Sequence, residues 1–289
     1  MTGIFFAVGA LISWGVGDFL IQRTTRKIGD WRTLFYIGLV AFVGLFPFVQ
    51  NDVHILWEHP SDFTLIALGS IVMFFGALFD FEALKRGKIA IVEPLLALEV
   101  PITVGLSVTL WGETLSLTQS ILIACVFFGI VLAVTIRHGH LHYHKRIFER
   151  GVAFAGAGAV GMGLANFLVG VSSEVSSPLI AIWVIQGFLF LFCSAYFIGQ
   201  GKAAHLFADF KKYPLLIVSQ SIIDNLAWIC YAYAVVFIPI SIATTISESY
   251  IVLAALLGIF INKEKLRWHQ YVGIATACVG VILLSYITG

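Results

Sequence analysis

Seven carboxylates stand inside stretches that are otherwise hydrocarbon: Asp18, Asp80, Glu82, Glu93, Glu99, Asp224 and Glu248. An acid at that depth is costly, so it faces a cavity, a partner or a proton. Spacing from flanking charges sorts the seven. Asp18 precedes Arg23 by five residues, Asp80 precedes Lys85 by five, and Glu93 follows Lys88 by five. At about 1.5 Å per helical residue, these lie roughly 7 Å from a charged loop, and Glu82 lies closer. They can reach an aqueous interface or pair with Lys85, Arg86 or Lys88, so Asp80 and Glu93 are expected to line a vestibule. Glu99 is eleven residues beyond Lys88, Asp224 twelve beyond Lys212, and Glu248 nine beyond Pro239. That places them about 13–18 Å deep, near the middle of a hydrocarbon layer some 30 Å thick. No Lys or Arg shares that depth. Such groups are protonated, hydrogen-bonded, or open to water and a cation, and their chemistry is proton exchange or cation binding.

Aromatic spacing adds to this. Trp14 and Asp18 are four apart, as are Asp224 and Trp228, with Tyr231 a turn further on. On a helix each pair shares a face. A carboxylate beside an indole suits an organic cation through charge and cation–π attraction, although Trp is also an ordinary packing residue at membrane interfaces. Pro94 and Pro101 bracket Glu99. Proline is excluded from most helix interiors, so both should kink or loosen the helix where it lines a cavity.

Two other constellations carry less. His138, His140, His142 and His144 alternate in the loop RHGHLHYHKR. They match no metal geometry, and an exposed linker without metal is the expectation. Gly15-Val16-Gly17-Asp18 spells the GxGD of intramembrane aspartyl proteases, with Phe79-Asp80 as a second aspartate. In those enzymes the partner aspartate precedes GxGD, whereas here it follows, which makes a protease the least favoured reading.

The elements that must hold these residues follow from composition. Of 289 residues, 60% are hydrophobic and 11% charged, too few charges for a water-facing surface. Ten apolar segments run roughly over 3–22, 33–50, 62–82, 88–110, 116–136, 151–171, 178–199, 213–235, 239–261 and 268–287. Each approaches the roughly 20 residues of a spanning helix and is too continuous for a barrel strand. The expected class is an all-α integral membrane protein. Cys125, Cys193, Cys230 and Cys278 all fall inside spans and form no disulfide or zinc pattern. Met1 to Leu20 lacks the basic start of a cleavable signal peptide.

All 17 basic residues lie in or beside the loops after spans 1, 3, 5, 7 and 9. The other loops hold Asp52, Glu58, Glu113 and Glu174 instead. Basic loops stay cytoplasmic during insertion. Both termini are therefore expected outside the cell (inner) membrane, and the His-rich loop in the cytoplasm.

The two halves match. Aligning Gly3 to Leu20 with Gly151 to Leu168 pairs Gly15 with Gly163 and Asp18 with Asn166. Aligning Trp111 to Gln119 with Asn262 to Gln270 pairs Glu113 with Glu264 and Gln119 with Gln270, and further on Gly129 with Gly280. Each half is a five-helix unit, and an odd number of spans inverts the second relative to the first. The expected divisions are 1–137, a linker at 138–150, and 151–289. Inverted repeats of this kind mark transporters with a site near the midplane. Here the chain resembles the drug/metabolite transporter superfamily, specifically the EamA-type ten-helix permeases, over nearly its whole length. Glu99, Pro101, Gly112-Glu113, Leu115 and Gly129 carry the likeness, with the proline displaced by one. In the second half Tyr250 takes the place of Glu99, and Asn-Lys-Glu replaces the Gly-Glu turn.

The resemblance implies a secondary transporter, commonly an exporter of metabolites, amino acids or drugs. The residues add a small amino-bearing or cationic substrate, because an anionic one would want a buried Lys or Arg. The expected site is Glu99, Asp224, Glu248, Asp18, Trp14, Trp228, Tyr231 and Asn166, working by alternating access with a coupling proton. No cofactor and no nucleic acid is expected, and the chain is a monomer or homodimer in the bilayer. A receptor or scaffold is the other non-transport alternative, but neither it nor a protease requires the repeat.

Overall fold

In hydrocarbon every backbone N–H and C=O must find a partner within the protein, and a helix does this locally. The computed structural model describes residues 1–86, 95–134, 145–253 and 267–289, and regular structure among them is entirely helical. The helices are α1 (Thr2–Ile28), α2 (Asp30–Val49), the single turn α3 (Ile55–Glu58), α4 (Pro60–Arg86), α5 (Glu99–Thr109), α6 (Leu117–Val134), α7 (Lys145–Val175), α8 (Pro178–Gly199), α9 (Ala203–Lys212), α10 (Pro214–Phe237), α11 (Ile240–Ser247) and α12 (Trp268–Thr288). Among the described residues, seven are long and apolar enough to cross a membrane: α1, α2, α4, α7, α8, α10 and α12. The shorter apolar helices α5, α6 and α11 complete ten spans. Glu93, Pro94 and the four loop histidines lie outside the described residues.

The helices differ from the apolar segments in two ways. α1 runs on through Arg23, Arg26 and Lys27, and α7 starts at Lys145, inside the stretch expected to be a linker. Hydropathy marks only the part of a helix in hydrocarbon; the hydrogen-bond ladder continues past it. α9 escaped notice because it is short and amphipathic. It lies against α2, where the Tyr36 hydroxyl donates to the Leu206 carbonyl and Arg32 pairs with Asp209 at 2.6 Å.

The packing has the symmetry that the repeat demands. The first span pairs chiefly with the eighth (α1 with α10) and the sixth with the third (α7 with α4). Exchanging the halves turns one pairing into the other. The second span pairs with the seventh (α2 with α8) and the fifth with the tenth (α6 with α12), each mapping onto itself. Single residues repeat the pattern. A Cβ on Gly15 would stand 2.9 Å from Leu253, and one on Gly163 would stand 2.8 Å from Ile102. Leu253 and Ile102 are related by the shift of 151 positions that carries Glu113 onto Glu264. Without a side chain at either glycine, the first helix of each half can press against the fourth helix of the other. Gln119 and Gln270 also act alike. Their side-chain carbonyls accept the N–H of Ser116 at 2.9 Å and of Arg267 at 3.0 Å, capping α6 and α12.

Both fourth helices are broken at matching places, residues 97–98 and 248–249. In the first half Pro101 has no N–H to give Ala97. The Ala97 carbonyl takes the Val100 N–H instead, at 3.3 Å, and a regular helix restarts at Glu99. In the second half Val252 stands where Pro101 does. Here the Ser249 N–H goes to Ile246 at 3.2 Å, and the Ser249 hydroxyl donates to the vacated Thr245 carbonyl at 2.7 Å. A hydroxyl in the ladder achieves what a missing N–H achieves in the other half.

Candidate functional site

The spans surround a partly open cavity. Its acids come from both halves: Asp18 on α1, Asp80 on α4, Glu99 at the first helix break, Asp224 on α10, and Glu248 at the second break. Trp14, Asn166 and Trp228 line it as well. Of the residues expected to form a central site, only Tyr231 stands back from the cavity. It is fully buried behind the wall, where its hydroxyl lies 2.8 Å from Thr244 Oγ1 and 3.0 Å from the Asn166 carbonyl. Asp80, expected in a vestibule, borders the same cavity as Glu99. The lining also takes in Ile21 and Phe81, near the basic loops, so depth along a single helix did not separate the two. Pro101 is exposed, stands beside the helix break and does not line the cavity.

The acids are tied to neighbours. The Asn166 amide donates to Glu248 Oε1 at 3.0 Å. Asn166 is the repeat partner of Asp18, so one half contributes an acid where the other contributes its hydrogen-bond donor. The Tyr250 hydroxyl lies beside the Asp18 carboxylate. Asp18 is near enough to Asp224 and Glu248 for its charge to act on both. Trp14 meets Trp228 edge to face with ring centres 5.0 Å apart, and Tyr250 lies 6.3 Å away. Among the described residues, no lysine or arginine lines the cavity.

The two ends of the cavity differ. Toward the basic loops, a small pocket bounded by Gln22, Thr25, Arg26 and Lys85 shares the walls Ile21 and Phe81 with it. Lys85 at that end pairs with Asp30 at 3.1 Å and Glu82 at 3.3 Å. At the opposite end, the first half clasps the second. The Glu113 carboxylate accepts hydrogen bonds from the Ile240 N–H, from the Ser241 N–H at 3.1 Å and from the Ser241 hydroxyl at 2.5 Å. These are the free donors at the start of α11, which a carboxylate satisfies well.

The sequence profile of the EamA-like transporter family matches residues 1–135 and 149–286. The chain belongs to the EamA-like transporter family. It is therefore a multi-pass membrane transporter of the drug/metabolite type, built as two EamA repeats. Asp18 and Asp80, the pair that a protease reading required, both border the cavity, but the family is one of transporters. Uncharacterized protein MJ1333.1 of Methanocaldococcus jannaschii is 28% identical over 133 residues, which are 45% of this chain and 95% of its own length. That relative is thus about as long as a single repeat. A solved crystal structure of another protein superposes on 99% of this chain and 97% of its own, with a TM-score of 0.72 at 16% identity. It shares the EamA transporter's fold.

Gln186, Met73 and Met162 also line the cavity and were not singled out from the sequence, and Tyr250, noted only as standing where Glu99 stands in the first half, lines it too. The available signal for Gln186 was a glutamine in an otherwise apolar span.

Proposed function

We propose that this EamA transporter moves a small amino-bearing or cationic metabolite in exchange for protons. The observation that carries the reading is an intramembrane cavity whose described lining holds five carboxylates and no basic residue. Like charges cannot all ionise together in a low-dielectric space, so the site must hold protons or a cation. A carboxylate holding a proton is a poorer partner for a cation, and exchange follows from that competition. Trp14 and Trp228 supply faces that attract organic cations. The cavity's extension toward the basic loops and the Glu113 clasp at the far end fit a state facing the cytoplasm, with both termini outside. Alternating access then requires the clasped end to open.

The test is transport in reconstituted vesicles. Glu99→Gln, Asp224→Asn and Glu248→Gln should each lower the rate at least tenfold, or about 1.4 kcal/mol. At least one should flatten the profile between about pH 5.5 and 8.5. Asp18→Asn should cost less, because Asn166 already fills the equivalent place in the other half. Near-normal rates and an unchanged profile in all three would leave these acids as structural groups.

A further inference from the structure

The carboxylates explain attraction to a positive charge, but two other groups on the cavity wall remain unexplained. Gln186 is 2% exposed and Asn166 is 1% exposed. Both line the cavity, and neither Gln186 Oε1 nor Asn166 Oδ1 has a hydrogen-bond partner among the described residues. The Asn166 orientation is fixed, because its N–H must face the Glu248 carboxylate, which turns Oδ1 elsewhere. The Gln186 backbone is held against α2, since a Cβ on Gly38 would stand 2.7 Å from its carbonyl oxygen, while its side-chain amide has no hydrogen bond among the described residues and is free to turn its oxygen to the cavity. Buried amide oxygens almost always have a donor, and one that lacks a donor beside a cavity is a place for a ligand to supply it.

We infer that Gln186, with Asn166, is a specificity-determining residue that selects substrates carrying N–H donors over cations of equal charge that carry none. The inference rests on the acidic cavity binding a cation. A primary ammonium has three N–H donors, enough for a carboxylate and both amide oxygens. A fully alkylated ammonium satisfies the charge and the indole faces but leaves both oxygens without a partner. Sites built to hydrogen-bond an N–H discriminate sharply against an analogue that lacks it. Charge and aromatic faces alone would not separate the two ligands.

The experiment is calorimetric titration of the purified full chain with phenethylammonium and with its N,N,N-trimethyl analogue. The wild type should bind the primary amine about tenfold or more tightly than the analogue. Gln186→Met keeps the size of the side chain and removes the acceptor, so it should weaken the primary amine about tenfold and change the trimethyl ligand less than about twofold. Gln186→Glu keeps an acceptor in place and should retain the preference for the primary amine. Equal weakening of both probes in Gln186→Met would show a structural role, and no weakening would show no role. Either result overturns the inference and leaves the acidic site standing. Failure of the wild type to bind either probe overturns the cation site and the inference together.

Discussion

Glu113 is the residue whose removal most directly tests how the clasped end is held. Its carboxylate serves the first turn of α11 from the opposite half of the molecule, so Glu113→Ala leaves those donors without an acceptor. An acceptor at a helix start contributes about 1 kcal/mol, and its charge against the helix dipole about 0.5–1 kcal/mol more. The expected loss is about 2 kcal/mol, and Glu113→Gln, which keeps one oxygen, should lose about half of that. For a chain of this size, 2 kcal/mol corresponds to a melting temperature lower by about 4–8 °C. It also corresponds to a shift of about 30-fold in any equilibrium that breaks the clasp. Ser173 reports on that equilibrium. It is buried on α7 three residues past Gly170, and so shares the helix face that meets Ile240 at the clasped end. In a background lacking the four native cysteines, Ser173→Cys should react with a soluble thiol reagent about 30-fold faster when Glu113 is Ala. A melting temperature lowered by less than about 1 °C, with labelling unchanged within about twofold, would refute the idea that Glu113 holds this end shut.

Three further outcomes are expected. Pro101→Ala gives the Ala97 carbonyl a regular donor, so the first break should close and transport should fall about tenfold while thermal stability holds or rises; unchanged transport would make the break incidental. Single cysteines at Gly139 and Ile55, probed with an impermeant thiol reagent in intact cells, should label at Ile55 only, and the opposite pattern would reverse the proposed topology. Replacing His138, His140, His142 and His144 together by Ser should leave transport within about twofold, and a larger loss at equal expression would restore a metal or regulatory role to that loop.

Much of this was legible in the sequence because a membrane makes backbone and charge obey simple rules. Apolar length showed the spans, and the alignment of Gly15 with Gly163 and of Gln119 with Gln270 picked out residues that do matching work in the two halves. The acids were legible because a charge in lipid has few innocent explanations. Gln186 was not, because an amide in an apolar span carries no charge to draw the eye, and its meaning lies in a partner it lacks. The second helix break was hidden for a similar reason. Pro101 announces itself, whereas Ser249 breaks the ladder only through the direction of its hydroxyl. Tyr231 shares a helix face with Asp224 and Trp228 by spacing, yet the inward path of α11 puts Thr244 in front of it. The clasp was out of reach too: Glu113 could be paired with Glu264 by alignment, but its acceptor role depends on where the other half ends up.

The pairing of helices across the halves has a consequence for how the protein is made. Among the described residues, every span finds its principal neighbour in the opposite repeat: α1 with α10, α4 with α7, α2 with α8, α6 with α12, α5 with α7 and α11 with α1. A ribosome delivers the first five spans well before any of those neighbours exists. During that interval Asp18, Asp80 and Glu99 sit in the bilayer without the walls that later enclose them. The first half must therefore wait in the membrane as loosely associated helices, exposed to quality-control proteases, and the final packing can lock only as α12 slides against α6. A chain truncated before its last helix should be degraded rather than accumulate as a stable nine-helix fragment.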